Sequence, residues 1–170
     1  MTVTGYDFTG RKVVITGGGS GTGACMARHF AASGAHIIIA GRRKSALEAV
    51  AEGIAASAPL DKTDRSLWDQ IIAVNLTGPF LTLREGLVRM KAANCQQGRL
   101  IAIASMTAKR AYPYISAYAA SKHGVLGLVK SAALEVAALR SGSSDSAQKN
   151  ITVNAICPGY LDTEMTRSSI

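Results

Sequence analysis

Hydrophobic and polar positions along the chain fall into blocks that predict strands and helices in alternation. Four short, strongly apolar or β-branched runs have the length of buried strands, at 11–16, 36–40, 99–104 and 151–156. Apolar residues recur at helical spacing in five other stretches, at 21–33, 45–51, 66–74, 76–91 and 116–139. The opening order of strand, Gly-rich turn, helix and strand is typical of a βαβ unit. The sequence therefore predicts an α/β fold with a doubly wound parallel sheet, in a single domain over residues 1–170.

The composition fits a folded domain and excludes several other classes. Of the 170 residues, 48% are hydrophobic, which excludes a fully disordered chain. No apolar run approaches the roughly 18 residues of a membrane span, and the first residues lack the pattern of a secretory signal. Cys25, Cys95 and Cys157 are widely spaced among apolar residues, so we expect buried free thiols of a reducing compartment. These features predict a cytoplasmic protein without membrane partners.

The net charge of +8 raises the question of nucleic acid binding. The basic residues are scattered except for the cluster Arg42-Arg43-Lys44, and aromatic residues are only 5% of the chain, so we expect no nucleic acid partner. The histidines share no ligand spacing with each other or with the cysteines, so we expect no metal site.

A Gly-rich turn, Thr16-Gly-Gly-Gly-Ser-Gly-Thr-Gly23, joins the first strand to the first helix. Many turns need glycine, but this one stands in a βαβ context, where backbone N–H groups at a helix N-terminus can bind a pyrophosphate. The candidate cofactor-binding residues of this turn are Gly17, Ser20, Gly21, Thr22 and Gly23.

The second strand ends at Ala40-Gly41, where a protein specific for NAD usually offers a carboxylate to the ribose 2′-hydroxyl. Here Arg42 and Arg43 follow instead, and guanidinium groups suit a 2′-phosphate. The sequence thus favours NADP(H) over NAD(H), although a solvated basic turn would look the same.

Tyr118 and Lys122 are spaced i, i+4 on a predicted helix, so their side chains project from one face. A phenol has a pKa near 10, and a nearby ammonium group stabilises the phenolate. Alone, this pair is a common surface feature of helices. Ser105 changes the interpretation, because it ends a buried strand, where doubly wound sheets bind ligands, and lies thirteen residues before Tyr118.

These motifs together resemble the short-chain dehydrogenase/reductase family, through nearly the whole chain. The matches are the TGxxxGxG turn at 16–23, Val74-Asn75-Leu76-Thr77-Gly78, Ser105, Tyr118-x-x-x-Lys122, and Asn154-Ala-Ile-Cys-Pro-Gly159 with Thr163. The resemblance implies a Rossmann fold that reduces a carbonyl or oxidises an alcohol with a nicotinamide cofactor. It also implies a homodimer or homotetramer.

The resemblance also assigns roles to single residues. Ser105 would hydrogen-bond the substrate oxygen, Tyr118 would donate its proton, and Lys122 would hold the cofactor ribose and tune Tyr118. Asn75 would anchor a water that links Lys122 to solvent. Pro158, Gly159 and Thr163 match the turn that holds the nicotinamide.

The chain also departs from the family pattern. Residues 42–74 are about half of what two further β-α units require, so the third and fourth strands are missing. We place the seam at Glu52/Gly53; the family's final strand is also missing, because the chain stops soon after Thr163. Either these residues come from a longer enzyme, or the polypeptide is short and acts as a catalytically silent interaction subunit.

Overall fold

The computed structural model describes residues 5–19, 21–40, 58–141 and 150–160. The chain divides into two compact units, one formed by Met1–Ala55 with Leu161–Ile170 and the other by Ala56–Tyr160. Parallel strands and helices alternate along the chain, which confirms the predicted α/β class. The predicted helix at 45–51 lies outside the described residues.

The first unit contains one βαβ motif. Strand β1 (Lys12–Thr16) leads into helix α1 (Gly21–Ala32), which is followed by strand β2 (His36–Ala40). The two strands are parallel and pair from Lys12 opposite His36 to Thr16 opposite Ala40. Phe8 packs edge-on against Phe30 of α1, with ring centroids 4.9 Å apart, so the segment before β1 contacts the helix.

The second unit contains the remaining elements. Helices α2 (Arg65–Ile72) and α3 (Gly78–Ala92) precede strand β3 (Gln97–Ile103), and helix α4 (Ser116–Ser141) precedes strand β4 (Asn150–Ile156). Strands β3 and β4 are parallel, from Gln97 opposite Asn150 to Ile103 opposite Ile156. Helix α4 packs against both the β4 strand and the turn that follows β3. This arrangement positions the residues at the carboxyl ends of the strands.

Helix α2 begins where its sequence provides a cap. The Asp64 carboxylate accepts a hydrogen bond of 2.7 Å from the backbone N–H of Leu67, which satisfies a donor that the helix cannot pair internally. The prediction of two helices interrupted at Asn75 is wrong. A π-helical turn over Ala73–Thr77 joins α2 to α3 without a break, and Pro79 lies in the first turn of α3.

The core of the second unit lies between α4 and the β3–β4 pair. Its most buried large side chain is Val125, which is 0% exposed. Other buried members of the same cluster come from α3, β3, α4 and β4: Leu83, Ala102, Val129, Val136, Ile151 and Val153. The small residues of α4 let its backbone lie close to the sheet, which brings Tyr118 and Lys122 near the strand ends.

Two sequence expectations about the surface need comment. The prediction of buried cysteines is wrong for Cys25, which is exposed on α1, whereas Cys95 and Cys157 are half-buried; all three are free thiols. The helical stretch Arg65–Ala92 is long and apolar enough to cross a membrane by length and composition. A core helix passes the same test, so the absence of a membrane partner stays a prediction.

Candidate active site

The Gly-rich turn of the first unit has the shape that an anionic ligand requires. Gly17 has a φ of 71° and donates its backbone N–H to the carbonyl of Ala40 at 2.7 Å. A Cβ on Gly23 would overlap the Gly17 carbonyl oxygen, so a side chain cannot fit there without a backbone shift. The turn therefore brings backbone close to the N-terminus of α1, where N–H groups favour a phosphate. The residues fit a dinucleotide pyrophosphate.

The other predicted cofactor residues are only partly described. Gly21 begins α1 with a φ of 48°, and Thr22 follows as a half-buried residue. In the second unit, Pro158 is half-buried and Gly159 is exposed. Ser20, Arg42, Arg43 and Thr163 lie outside the described residues.

Ser105 lies two residues beyond the end of β3, whereas the sequence predicts it directly after a strand that ends at Ala104. It has an extended backbone and caps the short 3₁₀ turn Met106–Ala108, because its Oγ accepts a hydrogen bond of 3.2 Å from the Thr107 N–H. Sheet-like pairing continues past the strands, since the Ala104 N–H donates to Ile156 and the Met106 N–H donates to Pro158, both at 2.8 Å. Ser105 is thereby fixed between two backbone hydrogen bonds at the sheet edge.

Lys122 connects helix α4 to the same edge of the sheet. Its Nζ donates to the carbonyl oxygen of Ile103, the last residue of β3, at 3.3 Å. The same Nζ lies 5.6 Å from the centroid of the Tyr118 ring, one helical turn earlier. The structure therefore brings Tyr118 and Lys122 together at the strand end that carries Ser105.

Burial lowers the pKa of Lys122 below its ordinary value. The cause is desolvation, which disfavours the charged ammonium form. A lysine held in this way is a cation whose charge acts on its neighbours through little intervening water, and the phenol ring of Tyr118 is one of these neighbours.

Asn75 lies in the π-helical turn and is 7% exposed. Its Nδ2 is buried and has no hydrogen-bond partner in the part of the chain that the structure describes. A buried amide without a partner costs about 1–3 kcal/mol, so an acceptor is expected to reach this atom. π-turns are frequent at functional sites, and this one rotates Asn75 inward.

Sequence reasoning missed Ser121 as part of the site. This residue is 0% exposed, and its hydroxyl donates to the Tyr118 carbonyl at 2.7 Å. The bond fixes the helical turn that separates Tyr118 from Lys122. The only available signal was the small polar residue that precedes Lys122, a position easily interpreted as helix surface. Among the described residues, no group of three or more His, Cys, Asp or Glu side chains could hold a metal ion.

A sequence model of the short chain dehydrogenase family matches residues 11–58 and 52–170. These segments include nearly the whole chain, so it belongs to the short-chain dehydrogenase family, a family of oxidoreductases. The two matches overlap over residues 52–58, and this overlap includes the predicted seam at Glu52/Gly53.

Two curated relatives illustrate the similarity. The chain is 33% identical over 205 residues to a D-beta-hydroxybutyrate dehydrogenase of Rhizobium meliloti (strain 1021), covering 94% of this chain and 75% of the relative. It is 28% identical over 196 residues to a 3-oxoacyl-acyl-carrier-protein reductase of Rickettsia bellii (strain RML369-C). This match covers 94% of this chain and 76% of the relative. Because 205 aligned positions exceed the 170 residues of this chain, the first relative has residues without a counterpart here.

A solved structure confirms the Rossmann-like fold class. The chain superposes with a TM-score of 0.78 on a protein from Beutenbergia cavernae that is assigned as an NAD(P)-dependent gluconate 5-dehydrogenase and has bound NADP. The two sequences are 28% identical, and the match covers 95% of this chain and 77% of the other.

The lowered pKa of Lys122 predicts a specific pH dependence of stability. Between that lowered pKa and the value of 10.5 for an unburied lysine, the unfolded chain holds a proton that the folded chain has lost. Stability conferred by the wild-type residue therefore increases with pH through this window. The Lys122→Met variant lacks this increase. Its free energy of unfolding, measured by urea titration from pH 7 to 10.5, should therefore fall further below that of wild type as the pH rises. The control Lys130→Met, on the exposed face of α4, should follow wild type; a Lys122→Met curve parallel to wild type would refute the burial effect.

The close approach at Gly23 predicts a position-specific cost in the Gly-rich turn. Gly23→Ala should lower the free energy of unfolding by about 1–3 kcal/mol, because the new Cβ meets the Gly17 carbonyl. Gly19→Ala is the matched control, since a Cβ there meets nothing within 4 Å. Urea unfolding followed by circular dichroism measures both, and equal stabilities for the two variants would contradict the observed turn.

Proposed function

We propose that this protein is an NADP(H)-dependent ketoreductase or alcohol dehydrogenase. The observation that carries the proposal is the position of Lys122, hydrogen-bonded to the end of β3 with Tyr118 one turn away. When bound, a nicotinamide dinucleotide supplies or accepts the hydride. The chain's own residues bind and orient the cofactor and the substrate, and they transfer one proton. These roles match the family to which the chain belongs.

In the proposed reaction, the Ser105 hydroxyl hydrogen-bonds the substrate oxygen, which polarises the carbonyl. Tyr118 gives its phenolic proton to that oxygen during reduction and takes it back during oxidation. The Lys122 ammonium stabilises the phenolate that results and binds the ribose hydroxyls of the cofactor. Because its Nζ is tied to the Ile103 carbonyl, the cation is held in place before any ligand arrives.

Asn75 has a supporting role in this proposal. Its buried and unpartnered Nδ2 supports a site for an acceptor such as a water molecule, which would connect Lys122 to solvent. Such a connection would return the proton that Tyr118 gives to the substrate.

The preference for NADP(H) is a separate part of the proposal. It rests on Arg42 and Arg43, which follow the second strand without an acidic residue. A relative of known structure with bound NADP gives further support. Backbone N–H groups of the Gly17–Gly23 turn bind the pyrophosphate, and Pro158, Gly159 and Thr163 hold the nicotinamide.

We also propose a cytoplasmic homodimer or homotetramer in which all 170 residues belong to one domain. Helix α3 exposes Phe80, Leu81 and Val88, and α4 exposes Leu134, at 43–74% of their surface. An apolar surface of this kind favours association with another copy. No nucleic acid, membrane or metal partner is part of the proposal.

A catalytically silent interaction subunit is the second candidate. It is favoured by the family match in two segments and by a chain that spans about three quarters of the length of its relatives. An NADPH fluorescence titration separates the two candidates. An increase in NADPH fluorescence at micromolar NADPH supports the oxidoreductase, whereas no increase supports the silent subunit.

Replacing the proposed acid tests the function directly. Tyr118→Phe should lower kcat for NADPH-dependent ketone reduction by at least about 100-fold, because the proton donor is lost, and should leave the NADPH Kd within about threefold. Tyr6→Phe, a substitution in the exposed N-terminal segment, is the control and should keep full activity. Unchanged turnover in Tyr118→Phe would reject Tyr118 as the acid.

Replacing the basic pair tests the cofactor preference. Arg42→Ser with Arg43→Ser should raise the NADPH Kd by about tenfold or more, since charge-assisted hydrogen bonds to the 2′-phosphate are lost. The NADH Kd of the same variant serves as its internal control and should change little. An equal rise in the Kd for both cofactors would mean that the arginines do not bind the 2′-phosphate.

A further inference from the structure

Met106 occupies a central position at the edge of the second unit, directly after Ser105. Its backbone N–H donates to the Pro158 carbonyl at 2.8 Å. Its own carbonyl accepts hydrogen bonds from the N–H groups of Lys109 and Arg110, at 3.0 and 3.2 Å. The backbone of Met106 is therefore held on both sides, and its side chain starts from a defined point next to Ser105.

The Met106 side chain contacts two other segments at this edge. Its Sδ lies 4.0 Å from the Tyr112 hydroxyl, which donates to it. The same Sδ lies 3.8 Å from the position that a Cβ on Gly159 would occupy. The thioether thus connects the loop after β3 with the segment after β4, both at the carboxyl ends of the strands. Met106 is half-buried, and Tyr112 is 36% exposed, so the pair still presents surface to a ligand.

We propose that Met106 and Tyr112 form the apolar wall of the substrate pocket beside Ser105, and that this wall selects ketones with an alkyl or aryl substituent over polyhydroxylated ones. The inference rests on the proposed function, because it takes Ser105 as the residue that binds the carbonyl oxygen. The Met106 sulfur lies beside Gly159, in the turn proposed to hold the nicotinamide, so a carbon substituent of a ketone that reacts there would contact the Met106 side chain.

The chemistry of the pair supports this selectivity. A thioether and a phenol ring are polarisable surfaces that favour contact with hydrocarbon. The Tyr112 hydroxyl is directed to the Met106 sulfur, and the sulfur is only a weak acceptor. The hydroxyl groups of a polyol would lose hydrogen bonds to water on entering this wall without gaining equivalent partners.

A homologous series of ketones tests the wall. With NADPH, kcat/KM should rise by about fourfold for each methylene from 2-butanone to 2-pentanone and 2-hexanone, and should be lowest for dihydroxyacetone. Met106→Gln keeps the length of the side chain but makes it polar, and should reduce this increase to twofold or less, mainly through KM. Met106→Leu should retain the wild-type increase. A flat wild-type series, a preference for dihydroxyacetone, or an unchanged series in Met106→Gln would overturn the proposal.

A binding measurement separates this inference from the proposed function. The chain has five methionines, and [methyl-¹³C]methionine labelling gives each a separate NMR signal, with Met106 assigned by its loss in Met106→Leu. In the Tyr118→Phe variant with NADP⁺, addition of 2-hexanone should shift the Met106 methyl signal and leave that of Met90 unchanged. This result supports the wall even if no variant shows turnover, so a failure of the proposed function would be seen separately. No shift at Met106 at saturating 2-hexanone would overturn the wall.

Discussion

The hydrogen bond from Lys122 Nζ to the Ile103 carbonyl is the contact on which the rest of the site depends. It joins the helix that carries Tyr118 to the strand that ends just before Ser105. Burial of this ammonium removes it from water and disfavours its charged form, so the pKa of the lysine is lowered. The second unit offsets the cost with a tightly packed helix face around Val125 and Val129, both almost fully buried. Core packing therefore holds a cation where the proposed chemistry needs one.

Much of this arrangement could be predicted from the sequence, because regular periodicity and motif spacing carry it. Strand β2 has the predicted bounds, 36–40, and β1, β3 and β4 differ by one or two residues at one or both ends. The i, i+4 spacing of Tyr118 and Lys122 placed both on one helix face. Ser105 could be placed because an uninterrupted apolar strand ends just before it.

Other features depend on tertiary contacts that no local pattern records. The π-turn at Ala73–Thr77 accommodates Asn75, a polar residue turned inward within a helix, whereas the sequence predicts two separate helices on either side of Asn75. The bond between Met106 and Pro158 joins residues more than fifty positions apart. Cys25 is exposed although its neighbours include apolar residues, because it lies on the outer side of α1. Helix periodicity alone does not say which side faces outward when apolar residues occur on both.

The two strand pairs keep apolar side chains at their surfaces. Among the described residues, β1 pairs with β2 and β3 pairs with β4, and no further strand joins either pair. Apolar residues such as Val14, Ile38 and Ile101 remain more than half exposed. In a doubly wound sheet such residues are covered by helices and neighbouring strands. This exposure agrees with a relative that has residues without counterparts here, and it makes activity of the 170-residue chain the decisive question.

Isotope transfer addresses that question most directly. The purified chain would be incubated with 2-hexanone and NADPH carrying deuterium at one or the other face of nicotinamide C4. The alcohol would then be analysed by mass spectrometry. The account predicts one deuterium at the carbinol carbon from one labelled face and none from the other. Formation of no alcohol, or of alcohol without deuterium from either face, would contradict the claim that this chain is a nicotinamide-dependent oxidoreductase.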